Sequence, residues 1–150
     1  MTQKTITYLG LGTNTGNKED NLTRAIEELS LALGNYISKS SFIETEPWGF
    51  NSSNKFLNCV VAYETDKKPI DLLNITEEIE RKLGRTTKSS NGIYNDRIID
   101  IDILLYGNRI IEHDRLTIPH PLILQRDFVY RPLMEIAPQL DLSRYPLKAE

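Results

Sequence analysis

The chain has one cysteine, Cys59, so it can form no intrachain disulfide and no cysteine-built zinc site. It has no apolar run near the ~20 residues that a membrane-spanning helix needs. Its first residues show neither the basic nor the apolar segment of a secretory signal, and a cytoplasmic protein is expected. An excess of one charge is missing too. The 18 basic and 21 acidic residues leave a net charge of -3, which argues against a general binder of nucleic acid or membrane. Repeats, low-complexity tracts and linkers are absent. What remains is ordinary: 39% hydrophobic and 26% charged residues over 150 positions, read as one domain, residues 1–150, with its own core.

Branched and aromatic residues make Thr5 to Leu11 a buried strand, broken by Gly12-Thr13-Asn14. Asn17, then Glu19 and Asp20, opens a helix whose stripe is Leu22, Ala25, Ile26, Leu29 and Leu33, with Gly34 as its stop. Tyr36 to Thr45 reads as a polar edge strand, and the segment from Pro47 to Asn54 as a loop. Phe56 to Thr65 is a strong strand. Pro69 opens a second helix, with Leu72, Ile75, Ile79 and Leu83 on one side and Gly84 at its end. Arg85 to Asp96 has no apolar period and reads as a long mobile loop. Arg97 to Tyr106 is a strand closed by Gly107-Asn108, and Phe128 to Ile136 is a short helix disturbed by Pro132. The order β-α-β-β-α-β plus a C-terminal extension predicts an α+β, ferredoxin-like fold: an antiparallel sheet with both helices on one face.

The chemistry concentrates in Arg97-Ile98-Ile99-Asp100-Ile101-Asp102-Ile103-Leu104-Leu105. Strand alternation sends Ile99, Ile101, Ile103 and Leu105 to one side and Asp100 and Asp102 to the other. Neighbouring carboxylates repel, and a divalent cation removes that repulsion. Magnesium takes one or two carboxylates and completes its shell with water and substrate phosphate oxygens, so the pair suits phosphoryl-type transfer. A solvated sheet face carrying two harmless acids is the bland alternative. Arg115, Thr117, His120 and Arg126 follow, a set able to hold a polyphosphate, although each alone is more often a surface salt-bridge partner than a ligand. Phe56 and Asn58 share a strand face. With Phe128 they could enclose a flat heterocycle, the amide reading its edge; as single residues the two rings read as core. Glu77 and Glu80 share a helix face, either solvated or receiving a base or ribose. Trp48 is either a lid or a packed anchor.

The stretches Leu9 to Gly16, Phe56-Leu57-Asn58, Asp96 to Leu104 and Leu116 to Pro121 come in one order, and together they resemble the 6-hydroxymethyl-7,8-dihydropterin pyrophosphokinase family over about Thr5 to Leu140. The resemblance implies transfer of pyrophosphate from ATP to the pterin's hydroxymethyl group, with release of AMP, in folate biosynthesis. It implies two Mg2+ ions on Asp100 and Asp102. It implies a pterin pocket of Thr45, Phe56, Asn58 and Phe128. It implies ATP contacts at Glu77, Glu80, Lys88, Tyr94, Arg97, Ile103, Arg115, Thr117, His120 and Arg126. Arg85 and Arg97 match arginines that assist transfer from mobile loops, and dihydropteroate synthase is the implied functional neighbour. Neither nucleic acid nor membrane is an implied partner. The chain departs from the family in carrying Tyr94-Asn95-Asp96-Arg97 where relatives often have Trp-Gly-Pro-Arg, and only Lys88 as a cation between Thr86 and Asn91.

Two other classes compete. An RNA-recognition module shares the element order but needs a basic, aromatic sheet face, and here the strand shows two aspartates. A magnesium-dependent kinase moving a single phosphoryl group would use the same residue types, and its nucleotide product, ADP, would distinguish it.

Overall fold

The computed structural model describes residues 4–46, 55–85 and 98–144, with backbone alone at Arg85 and Arg144. Strand β1 (Thr5–Thr13) is followed by helix α1 (Lys18–Leu33), strands β2 (Tyr36–Lys39), β3 (Ile43–Thr45) and β4 (Phe56–Thr65), and helix α2 (Pro69–Glu80). Strand β5 (Asp100–Tyr106), the hairpin β6 (Ile111–His113) and β7 (Leu116–Ile118), and helix α3 (Asp127–Ile136) complete the order. The main sheet runs β2-β4-β1-β5, every pair antiparallel, and β3 pairs with β4 as well.

Local chemistry accounts for the helix ends. Asn17 caps α1 by accepting from the Asp20 N–H at 3.0 Å, and the acids Glu19 and Asp20 occupy the positive first turn. Pro69 opens α2, where its missing N–H goes unneeded. Beyond α2 the chain kinks within Arg81–Arg85. Gly84 adopts φ 126 there, with Ile98 directly where a Cβ would stand, so only glycine fits.

Alternation along the strands builds two cores. Leu9, Leu11, Cys59, Val61, Tyr63, Ile101 and Ile103 pack under α1 and α2. Tyr8, Val60, Ala62, Leu104 and Leu105 meet Val129 and Leu133 of α3 on the opposite face.

Five expectations change. The strand expected from Arg97 to Tyr106 begins, among the described residues, only at Asp100. The strand expected from Tyr36 to Thr45 is broken into β2 and β3 at Ser40–Phe42. β1 continues through Gly12 to Thr13, because its outer residues still pair with β4. Leu105 does not join Ile101 and Ile103. The register with β1 slips by one residue between Tyr8 and Leu9, which turns Leu104 and Leu105 to the same, α3-covered face. The C-terminal extension includes the β6–β7 hairpin, whose three-residue strands are too short to show a period. Of the long loop only the Arg85 backbone is described; Trp48, Lys88, Tyr94 and Arg97 lie outside the described residues.

Cys59 is buried in the α1–α2 core, and burial pushes its thiol up to about 12. The native protein is therefore expected to resist iodoacetamide at pH 8, and a thiol titration after unfolding should recover one reactive group. Above its ordinary value of 9.0 the unfolded thiol loses a proton that the folded thiol keeps until about 12, so Cys59 makes stability fall as pH rises through that window. Cys59→Ala should flatten that slope in urea melts.

Candidate active site

The sheet register brings the candidate residues into rows. Gly12 pairs with Asn58 on one side and Asp100 on the other. Gly10 pairs with Val60 and Asp102, and Thr45 with Phe56. Leu9 and Leu11 face the α1–α2 core, so Gly10 and Gly12 face the α3 side, where they leave β1 without side chains. The result is a trough of bare backbone between the amide of Asn58 and the two carboxylates. Helix α3 covers the Val60–Ala62 end of this face. The Gly12 end stays open as a cleft of about 560 Å³.

Thr45, Phe56, Asn58, Asp100, Asp102, His120, Arg126 and Phe128 all line this cleft. The other described candidates do not. Ile103 is buried in the α1–α2 core, leaving only its backbone for a ligand. Glu80 is buried rather than solvated; its Oε2 accepts from the Ile101 N–H at 2.7 Å and fixes the backbone between the two aspartates. Arg115 donates to Glu77 Oε1 at 2.9 Å and to Asn74 Oδ1 at 2.8 Å, joining the hairpin to α2. Thr117, on β7, is exposed.

The orientation of the cleft groups is set by their neighbours. Asn58 donates from Nδ2 to Thr45 Oγ1 at 3.0 Å and to the Ile43 carbonyl at 3.4 Å, which leaves Oδ1 against Gly12. His120 Nδ1 accepts from the Leu122 N–H at 3.2 Å, so Nε2 carries the ring proton. Burial lowers the His120 pKa, with Asp102 pulling it up and Arg126 pulling it down; the net fall keeps the imidazole neutral at pH 7. Burial also lowers the Arg126 pKa, against the pull of Asp102 and Asp100. Its guanidinium carbon stands 5.6 Å from the centre of the Phe128 ring. No group of three or more His, Cys, Asp and Glu is placed to hold a metal ion by itself among the described residues. Two carboxylates are too few for a closed cage; they suit magnesium, which keeps water and phosphate oxygens in its shell.

Gly10 and Gly12 were not foreseen as part of the site, yet they make its floor. The signal was present: glycines two apart inside a strand mark a close backbone approach. A Cβ on Gly12 would stand 2.9 Å from Asn58 Oδ1. Gly12→Ala should therefore turn the amide away from its place and weaken binding of a flat heterocycle roughly tenfold, the scale of one misplaced polar contact. Calorimetric titration of the variant beside wild type checks this.

A family model described as 7,8-dihydro-6-hydroxymethylpterin-pyrophosphokinase (HPPK) matches residues 8–138. The chain is 50% identical over 136 residues to a 2-amino-4-hydroxy-6-hydroxymethyldihydropteridine pyrophosphokinase of Porphyromonas gingivalis, covering 90% of this chain and 92% of that one. It is 39% identical over 137 residues to the protein of the same name from Bacillus subtilis, covering 91% and 80%. A crystal structure of Plasmodium falciparum HPPK-DHPS superposes with a TM-score of 0.75 at 17% identity, over 98% of this chain and 43% of that longer one. The family model and these relatives show that the chain belongs to the HPPK family.

Proposed function

We propose that the protein transfers pyrophosphate from ATP to 6-hydroxymethyl-7,8-dihydropterin, giving the pterin diphosphate and AMP. One observation carries this: the glycine trough separates an oriented amide beside Phe56 from a carboxylate pair beside His120 and Arg126. The first half suits a flat heterocycle with a hydrogen-bonding edge. The second suits a polyphosphate and its metal.

The pterin lies between Phe56 and Phe128, and Asn58 Oδ1 accepts from its edge. Its hydroxymethyl oxygen then points along the trough toward Asp100 and Asp102. These aspartates would hold two Mg2+ ions, which when bound would supply charge neutralisation at the phosphate oxygens of ATP. His120 donates from Nε2 to a phosphate oxygen, and Arg126 adds fixed positive charge. The hydroxymethyl oxygen attacks the β-phosphorus, and the bond from that phosphorus to the oxygen bridging it to the α-phosphate breaks. AMP leaves, and the hydroxyl proton passes to water. Arg85 and Arg97 assist the transfer. Glu77, Glu80, Lys88, Tyr94, Ile103, Arg115 and Thr117 complete the nucleotide side, Glu80 through the β5 backbone that it fixes.

Residues 1–150 act as one pyrophosphokinase domain of ferredoxin-like topology. If β2 and β3 are taken as one interrupted strand, the sheet order β2/β3-β4-β1-β5 and the two helices on one face support that topology. No described helix is long and apolar enough to cross a membrane, and we place the enzyme in the cytoplasm. A dihydropteroate synthase is the functional neighbour that consumes its product, a reading supported by the HPPK-DHPS naming of the longer Plasmodium chain.

The test is product analysis. ATP, Mg2+ and 6-hydroxymethyl-7,8-dihydropterin together should yield AMP in step with pterin loss, and chelation of the metal should stop both. Formation of ADP would contradict the proposal.

A further inference from the structure

We infer that Glu135 is a positioning residue that sets the separation between the two walls of the pterin pocket. This inference rests on the pyrophosphokinase reading above. Ser40 and Ser41 stand where β2 breaks before β3, and they are held to different layers. Ser40 is tied to the sheet: its N–H donates to the Val60 carbonyl at 2.8 Å, and its Oγ accepts from the Val60 N–H at 2.9 Å. Ser41 is tied to α3: its N–H donates to Glu135 Oε2 at 2.9 Å and its Oγ to Glu135 Oε1 at 2.8 Å. One carboxylate thus fastens the β2–β3 corner to the helix through both of its oxygens.

Each side of this clamp leads into the pocket. The corner continues into β3, whose Thr45 orients the Asn58 amide. The helix carries Phe128 two turns before Glu135, on the same face, and packs against β3 and β4. The sheet wall and the ring wall are therefore joined at Ser41–Glu135. Glu135 and Ser41 are both exposed, and neither belongs to the two cores. Packing does not explain two charge-assisted bonds across 94 residues of chain. Asp100 and Asp102, by contrast, sit on β5, on the far side of β1 from the clamp, and do not depend on it.

Calorimetric titration of the full chain tests this, with 6-hydroxymethyl-7,8-dihydropterin and with Mg2+ plus a non-hydrolysable ATP analogue as separate ligands. Glu135→Ala should raise the pterin dissociation constant about fivefold, the scale of a lost exposed charge-assisted bond, and leave the nucleotide constant within about twofold. Ser41→Ala keeps the backbone bond and should fall between wild type and Glu135→Ala. The double variant should be no worse than Glu135→Ala, because both substitutions open one clamp. Should Glu135→Ala fail to fold, Ser41→Ala and Glu135→Gln carry the same comparison. A lower melting temperature with unchanged pterin affinity, or equal loss of both ligands, overturns the positioning role. The functional reading fails separately, by wild type itself binding no pterin.

Discussion

Asp100→Ala or Asp102→Ala should lower turnover roughly a thousandfold or more, the scale seen when preorganised charge stabilisation is removed from a reacting centre. Both carboxylates line the cleft, and both face Arg126 closely enough to counter the fall in its pKa. Removing one leaves the other to face the guanidinium, so the protein should still fold, with a native circular-dichroism spectrum and a cooperative melt. Steady-state assays across a magnesium titration check the claim. The residual rate should stay low at saturating metal. A variant turning over at near wild-type rate would show that the pair is only a polar sheet face.

Asn58→Ala should weaken pterin binding by roughly tenfold to a hundredfold while leaving nucleotide binding within about twofold. A site built to hydrogen-bond a ligand edge loses that much when the partner is removed. Asn58 is 5% exposed and its amide is held by Thr45 and Ile43, so its orientation is fixed before a ligand arrives. Phe128→Ala should lower pterin affinity as well, since a stacked ring contributes roughly 0.5–1.5 kcal/mol beyond its burial. Calorimetry on both variants checks the split. Equal loss of pterin and nucleotide would mark these residues as structural support for the whole cleft.

Much of this site was legible because it lies on strands. Period-two alternation is enough to put Asp100 with Asp102, and Phe56 with Asn58, without knowledge of the fold. The order of elements then implied a sheet in which those strands are close. What alternation could not reveal was the register. Only the pairing of Gly12 with both Asn58 and Asp100 shows that the two halves of the site lie in one row across a bare strand. The bulge that reverses Leu105 was hidden for the same reason: a slip arises from two strands together and leaves no mark in either sequence. Glu80 illustrates a different limit. A helical glutamate near others of its kind reads as solvated, and its burial depends on meeting an unpaired N–H of β5 after the chain has closed. The same holds for Glu135, whose partner Ser41 is 94 residues away.

The most direct test of the central claim follows the β-phosphorus of ATP. With ATP radiolabelled at the β-position, the protein, Mg2+ and 6-hydroxymethyl-7,8-dihydropterin should place the label in the pterin product and leave none in the released nucleotide, which is AMP. Label retained in ADP, with only the γ-phosphoryl group on the pterin, would contradict it.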